Sequence, residues 1–120
     1  ATFENGFSAG KYTDQKSWET VFGVVTSTGK TVKRFSPALD KGKYYEIRSG
    51  FANGLAVIVE GYSNYGFVDT KGNTAIKPEF SEATKFVSGR AYAKRTDPKT
   101  GTTKEGFIDI TGKFIFYIQN

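Results

Sequence analysis

Several residue types are missing from the 120-residue sequence, and each absence excludes a kind of chemistry. There is no cysteine, so neither disulfide bonds nor thiol catalysis is available. There is no histidine, so the most common general base is absent and a metal could be held by oxygen ligands only. We therefore expect no metal and no other cofactor.

Methionine is also absent, even from position 1, and no long apolar run occurs. The sequence is therefore expected to be a mature fragment or an excised domain that has lost its start. No run approaches the roughly 18 apolar residues that a membrane-spanning helix requires, so no membrane span is expected. A chain without cysteine suits bacterial surface proteins, and it suits the cytoplasm as well.

The charge balance is mildly basic. There are 17 Lys and Arg residues against 12 Asp and Glu residues, and both halves of the chain share the excess. A surface of this kind attracts polyanions only weakly. Composition is thus a poor argument for nucleic acid, which we do not expect as a partner.

Glycine pairs spaced six residues apart recur along the chain. They are Gly23 and Gly29, Gly66 and Gly72, and Gly106 and Gly112. A second signature, Phe-x-x-Gly, precedes each pair as "FENG", "FANG" and "FVSG". The two linked signatures define three copies, at about residues 3–34, 51–79 and 86–118.

Each copy predicts strands joined by tight turns. In "DTKG" and "DITG" an aspartate begins a type I turn, and the glycine takes a left-handed conformation that closes a bulged hairpin. The first glycine of each pair lies inside a strand, which indicates a bulge or a close approach of another group. A preceding strand such as "LAVIVE" completes a three-stranded meander, and "FSEATKF" (residues 80–86) predicts a helical turn between copies. We predict an all-β fold of three tandem meander repeats, stacked as a short array with short helical turns between units.

The stretch "FANGLAVIVEGYSNYGFVDTKGNTAIKPEFSEATKF" resembles one whole unit of the WG-repeat family of bacterial proteins. The resemblance is clear in the second copy, good in the third and degraded in the first. It implies an all-β repeat array of a kind often exported or attached to larger surface or effector proteins, and it implies no enzymatic activity.

The chain departs from the family pattern at the tryptophan for which the family is named. Phe22, Tyr65 and Glu105 stand before the three glycines instead. The only tryptophan, Trp18, lies five residues before Gly23 and does not occupy the family position.

Aromatic residues outside the repeated positions are the first candidate contacts. Rings at repeated positions are explained by core packing, whereas an exposed ring in a loop can stack on a sugar or anchor a protein. The candidates for partner binding are Trp18, Tyr44, Tyr45 and Tyr62.

A basic patch is the second candidate, composed of Lys94, Arg95, Lys99 and Lys104 around the third hairpin. Its simplest role is a solvated edge that discourages strand-to-strand aggregation. Binding of an anionic wall polymer or of nucleic acid is the alternative. The exposed edges of the array also allow self-association.

The carboxylates do not indicate catalysis. Asp69 and Asp109 are explained by their turns. A glycosidase needs two acids beside each other in a cleft, and the sequence does not pair Glu60, Glu79 or Glu82 in that way. We therefore expect no enzyme.

The sequence favours a non-catalytic module that binds a protein or a glycan, at a bacterial surface or secreted, with the cytoplasm left open. The alternatives are a structural spacer in a larger protein and a weak polyanion binder. An enzyme that uses carboxylates alone ranks last.

Overall fold

A computed structural model describes residues 3–13, 18, 20–35, 45–61 and 63–119. Within these ranges there is no helix, and eleven strands form three antiparallel sheets. The predicted all-β class is confirmed.

The three sheets follow one another along the chain, and each contains only consecutive strands. The first sheet comprises β1 (Phe7–Thr13), β2 (Thr20–Thr26) and β3 (Thr31–Phe35). The second comprises β4 (Tyr45–Ile47), β5 (Leu55–Glu60), β6 (Asn64–Asp69) and β7 (Thr74–Phe80). The third comprises β8 (Glu82–Ala83), β9 (Ala91–Thr96), β10 (Thr103–Ile108) and β11 (Phe114–Gln119).

Strand β5 is buried on both of its faces, because the second sheet lies between the other two. Successive side chains of a strand point to opposite faces. Leu55 and Val57 accordingly belong to the core between the second and third sheets, whereas Ala56 and Ile58 belong to the core between the first and second. This explains why "LAVIVE" is apolar at five consecutive positions without alternating.

The same bulge recurs in all three sheets. In each, the register between the strand before the turn and the strand after it shifts by one residue next to the turn, and the second sheet has a further irregularity between Tyr65 and Phe67. The last pairs before the shift are Val24 with Lys33, Phe67 with Ile76 and Phe107 with Phe116.

The predicted left-handed glycines are confirmed. Gly72 has φ 82° and Gly112 has φ 89°, values at which a side chain would be strained. The Gly72 N–H donates to the Asp69 carbonyl (3.0 Å), and the Asp69 N–H donates to the Asn73 carbonyl (2.9 Å). This is a type I turn followed by a glycine bulge, as the sequence predicts.

The Phe-x-x-Gly signature also encodes a turn, which was not predicted from the sequence. In the second copy Asn53 (φ 54°) and Gly54 (φ 77°) are both left-handed. Ala52 and Leu55 exchange two backbone hydrogen bonds across them, at 2.9 and 3.0 Å. This is a two-residue hairpin of the type I′ kind, for which Asn-Gly is the preferred sequence.

The helical turn predicted for residues 80–86 is wrong. Phe80, Ala83 and Phe86 are buried at a spacing of three, which imitates a helix face. The backbone instead forms hydrogen bonds with a neighbouring strand. The Ser81 N–H donates to the Lys94 carbonyl (2.9 Å), and the short strand β8 pairs with β9. The extra edge strands β4 and β8 also make the second and third sheets four-stranded, rather than three-stranded as predicted.

Glycines inside strands permit the backbone of the neighbouring strand to come close, as their position in the sequence predicts. A Cβ at Gly66 would lie 2.6 Å from the Ile76 carbonyl oxygen and 2.7 Å from the Pro78 nitrogen. At Gly106 it would overlap the Phe116 carbonyl. The obstacles are backbone atoms, which cannot move away as a flexible side chain can.

We predict that Gly66→Ala lowers the free energy of unfolding by about 1–3 kcal/mol, the usual cost of forcing an extra methyl group into a packed position. Chemical denaturation measures the change. Gly50→Ala is the matched control, because a Cβ there meets nothing within 4 Å and φ is not left-handed. It should change stability by less than about 1 kcal/mol. Equal effects of the two substitutions would contradict the close-approach explanation.

Candidate functional site

The loop between β9 and β10, residues 97–102, is held in place by its own hydrogen bonds. The Asp97 N–H donates to the Thr102 carbonyl (2.9 Å), and the Gly101 N–H donates to the Asp97 carbonyl (2.8 Å). The Asp97 carboxylate accepts the Lys99 N–H (2.9 Å). The "TDPKTGTT" sequence therefore fixes the position of the lysine that it carries.

A cavity of about 670 Å³ opens at this end of the third sheet. Three of the four predicted basic-patch residues, Arg95, Lys99 and Lys104, line it. Its other lining residues are Asp97, Pro98, Thr100, Thr102, Phe114 and Gln119. Three members of the predicted patch therefore share one concave site, and we call this site the basic cavity.

Lys94 does not line the basic cavity. Neighbouring side chains on a strand alternate between faces, and Lys94 lies one position before Arg95. Its ammonium group lies 3.8 Å from the Glu82 carboxylate on the neighbouring strand. Its nearest charged partner is thus outside the cavity.

The three cations of the basic cavity differ in their partners. The Arg95 guanidinium lies 3.1 Å from the Glu79 carboxylate, with about half of each side chain exposed. The Lys104 ammonium lies 4.7 Å from the centre of the Tyr117 ring. Among the residues that the structure describes, the Lys99 ammonium has no carboxylate partner, so it is the cation most available to a ligand.

The predicted aromatic contacts are not brought together. Tyr44 and Tyr62 lie outside the described residues. Trp18 is 72% exposed, whereas Tyr45 is half-buried with its ring centre 5.8 Å from that of Phe35. Trp18 therefore presents a free ring, while much of the Tyr45 ring is used in packing. Their roles in binding stay predictions.

A tyrosine–carboxylate pair on the third sheet was not foreseen from the sequence. The Tyr92 hydroxyl donates to the Glu105 carboxylate across 2.5 Å. This hydrogen bond, helped by burial and by the charges of Glu105 and Glu82, raises the pKa of Tyr92 to about 12. Glu105 stands before Gly106, and Tyr92 is its diagonal neighbour, because the strand register pairs Glu105 with Lys94 and Phe107 with Tyr92.

The turn aspartates use their oxygens locally. Asp109 accepts hydrogen bonds from the Thr111 hydroxyl (2.5 Å), the Thr111 N–H (2.9 Å) and the Lys113 N–H (3.1 Å). These bonds, led by the one from the Thr111 hydroxyl, lower the pKa of Asp109 below its ordinary 3.8. Asp69 has the two backbone bonds without the hydroxyl, since its carboxylate accepts the N–H groups of Lys71 and Asn73.

The described ranges lack two further kinds of feature. They contain no group of three or more acidic residues placed to hold a metal ion. They also contain no helix with the length and apolar character needed to cross a bilayer.

Comparison with known proteins identifies one family. The family model of the WG containing repeat matches residues 65–97, roughly a quarter of the chain. The resemblance predicted from the sequence is confirmed there. The match begins at the Tyr65–Gly66 pair and ends in the loop that carries the basic cavity, so it runs from β6 of the second sheet into the third. No curated protein and no solved structure matches the chain.

We predict that Asp109→Ala lowers the free energy of unfolding by about 1–3 kcal/mol at pH 7, because several N–H and O–H groups lose a charged acceptor. A lowered folded-state pKa stabilises the protein above the ordinary value and loses its effect as the pH falls through the folded-state value. The difference between the two proteins should therefore shrink below pH 3.8. Urea denaturation at several pH values measures it.

Thr111→Val is the matched variant, because it keeps the carboxylate and removes only the hydroxyl donor. The pKa of Asp109, followed by nuclear magnetic resonance, should rise toward its ordinary value. A stability loss in Asp109→Ala that is constant from neutral to acidic pH would show that the charge of Asp109 is irrelevant.

Proposed function

Since residues 65–97 match the WG containing repeat, we propose that the chain consists of three such units and is a non-catalytic binding module. The units span about residues 3–34, 51–79 and 86–118. The bulge that all three sheets share next to the turn supports this division. Display at a bacterial surface, or secretion, is part of the proposal.

The ligand that we propose is a glycan that carries carboxylate or phosphate groups. The observation that supports it is the convergence of Arg95, Lys99 and Lys104 on one cavity. The volume of about 670 Å³ lies within the range of small-ligand sites, which is about 300–1,000 Å³. Arginine and lysine are the side chains that bind anionic oxygens, through charge-assisted hydrogen bonds.

The rest of the cavity suits the neutral part of a sugar. Thr100 and Thr102 bring hydroxyl groups to the wall, and Asp97 adds carboxylate oxygens that accept hydrogen bonds from sugar hydroxyls. Phe114 supplies an apolar surface for a pyranose ring. A highly charged nucleic acid would gain little from Asp97, so the mixed lining favours a glycan.

Trp18 is a second contact in this proposal. A tryptophan side chain that is 72% exposed leaves a large apolar ring in water, which a sugar face or a protein partner would cover. Tyr44, Tyr45 and Tyr62 are retained as further proposed contacts.

A structural spacer is the second candidate function. Side chains of one unit bond to the backbone of the next: the Glu4 carboxylate accepts the Gly54 N–H (2.7 Å), and the Asn53 side chain accepts the Gly89 N–H (3.1 Å). Bonds that tie unit to unit are what a rigid connector needs. A chain that binds no glycan and no protein would favour this role.

We predict that Lys99→Ala and Lys104→Ala each weaken the binding of an acidic oligosaccharide, such as an oligogalacturonate, by about 2–5-fold. Such a loss corresponds to an exposed ion pair worth up to about 1 kcal/mol. The double variant should lose about 10-fold. Isothermal titration calorimetry measures the affinities, and raising the salt concentration should weaken binding because the pairs are exposed.

Lys71→Ala is the matched control. It removes one exposed positive charge from the turn between β6 and β7, which does not line the cavity. If it weakens binding as much as Lys99→Ala does, the ligand senses only net charge. A neutral oligosaccharide of the same length that binds equally well would contradict a role for the cations.

A further inference from the structure

The outer face of the third sheet is apolar and uncovered. Phe107 is 39% exposed and Phe116 is 67% exposed, and the two are direct partners across β10 and β11. The residues at the same positions of the second sheet are Phe67 and Ile76, which are 0% and 5% exposed. The same pair of positions is thus buried in one sheet and open in the other.

The third sheet is what buries Phe67 and Ile76. The Phe86 ring, from a Phe-x-x-Gly turn, packs edge-on against Phe67 with ring centres 4.8 Å apart. The glycine of the following turn, Gly112, lies against Ile76: a Cβ there would be 2.9 Å from its Cγ2 atom. One phenylalanine and one turn glycine therefore cover the face of the preceding sheet.

The first and second sheets meet in the same way. Phe51, from the second Phe-x-x-Gly turn, belongs to the same core cluster as Val24, and Gly72 contacts the Lys33 side chain. Val24 and Lys33 occupy the positions of Phe67 and Ile76. The contact is therefore a repeated one.

The first sheet carries the same covering groups, and among the described residues no sheet lies beneath them. Phe3 is 44% exposed, whereas Phe51 and Phe86 are 5% and 2% exposed. Around the Cβ position of Gly29 there is no atom within 4 Å, in contrast to Gly72 and Gly112. One end of the stack thus has open covering groups, and the other end has an open face for them.

We propose that copies of this chain associate head to tail, with the first sheet of one copy covering the third sheet of another. Phe3 of one copy packs on Phe107 of its neighbour, and the Gly29 turn lies on Phe116. This proposal and the proposed function both rest on the equivalence of the three sheets. The association itself does not require a glycan.

Hydrogen bonds between neighbouring turns fit the same assembly. Within the chain, the Asn53 side chain accepts the Gly89 N–H (3.1 Å), which links the second turn to the third. Ser88 stands at the position of Asn53 in the third turn. Its hydroxyl is the acceptor that the Gly6 N–H of the next copy would meet.

A second copy fits this face better than an unrelated partner does. Within the described ranges, the element seated on these positions of the first and second sheets is in both cases a unit of the same kind, and the first sheet presents the same covering groups, Phe3 and Gly29, in exposed form. The apolar surface is also larger than the two phenylalanines, since Val87 is 69% and Ile118 is 58% exposed. Contiguous apolar patches of this kind mark interaction sites. Because the two halves of the contact differ, the association continues from copy to copy.

Sedimentation velocity over a range of concentrations tests the proposal. The average mass of the 120-residue chain should rise with concentration above that of one chain. Phe116→Asp and Phe3→Asp should each weaken this association at least 10-fold, because each places a charge in the contact. Both side chains are already substantially exposed, so circular dichroism and thermal unfolding should show the native fold in both variants.

Mixing the two variants discriminates between arrangements. In a head-to-tail contact, the intact first sheet of Phe116→Asp binds the intact third sheet of Phe3→Asp, so the mixture forms dimers although neither variant associates alone. If third sheets met each other instead, Phe3→Asp would associate normally and mixing would add nothing. That result would overturn the proposal, as would a wild-type chain that stays single at high concentration.

Ile115→Asp is the matched control. It adds the same charge next to Phe116 at a residue that is 62% exposed. Its counterpart in the second sheet, Ala75, stays exposed although the third sheet covers Ile76, so this position lies outside the contact. Association should be unchanged in Ile115→Asp and in Lys99→Ala. The second variant separates this proposal from the glycan site, since it impairs only the latter.

Discussion

The second and third sheets depend on backbone contacts that are too close to admit any side chain. Gly66 and Gly106 let the strand after each turn come close enough to collide with a Cβ, while Gly72 and Gly112 supply the left-handed residue that closes the bulge. Together they set the register in which Phe67 faces the third sheet and Phe107 faces outward. The packing of one sheet on the next depends on that register, because a slip of one residue would reverse every side chain.

The candidate binding site depends on the same framework at the other end of the strands. The loop between β9 and β10 holds Lys99 with bonds to Asp97, while Arg95 and Lys104 come from the two strands that the loop joins. A rigid sheet therefore supplies two of the cations and a hydrogen-bonded loop supplies the third. This division resembles many binding proteins, in which loops carry the contacts and the sheet positions them.

The sequence predicted local structure well because glycine spacing has a direct steric meaning. The all-β class and the bulged turns at Gly72 and Gly112 followed from residues close together in the chain. The prediction over residues 80–86 was wrong because buried residues three apart suit either a helix or an irregular edge. The pair formed by Tyr92 and Glu105 depends on strand register, which local patterns did not specify.

The middle position of the second sheet has a consequence for how the molecule comes apart. Strand β5 contributes alternate side chains to two different cores. Separation of either neighbouring sheet would therefore expose one apolar face of this strand to water. Loss of order should therefore begin at the two outer sheets and move inward, as in a row of coupled nearest neighbours. The slowest amide hydrogen exchange would then mark the centre of the row.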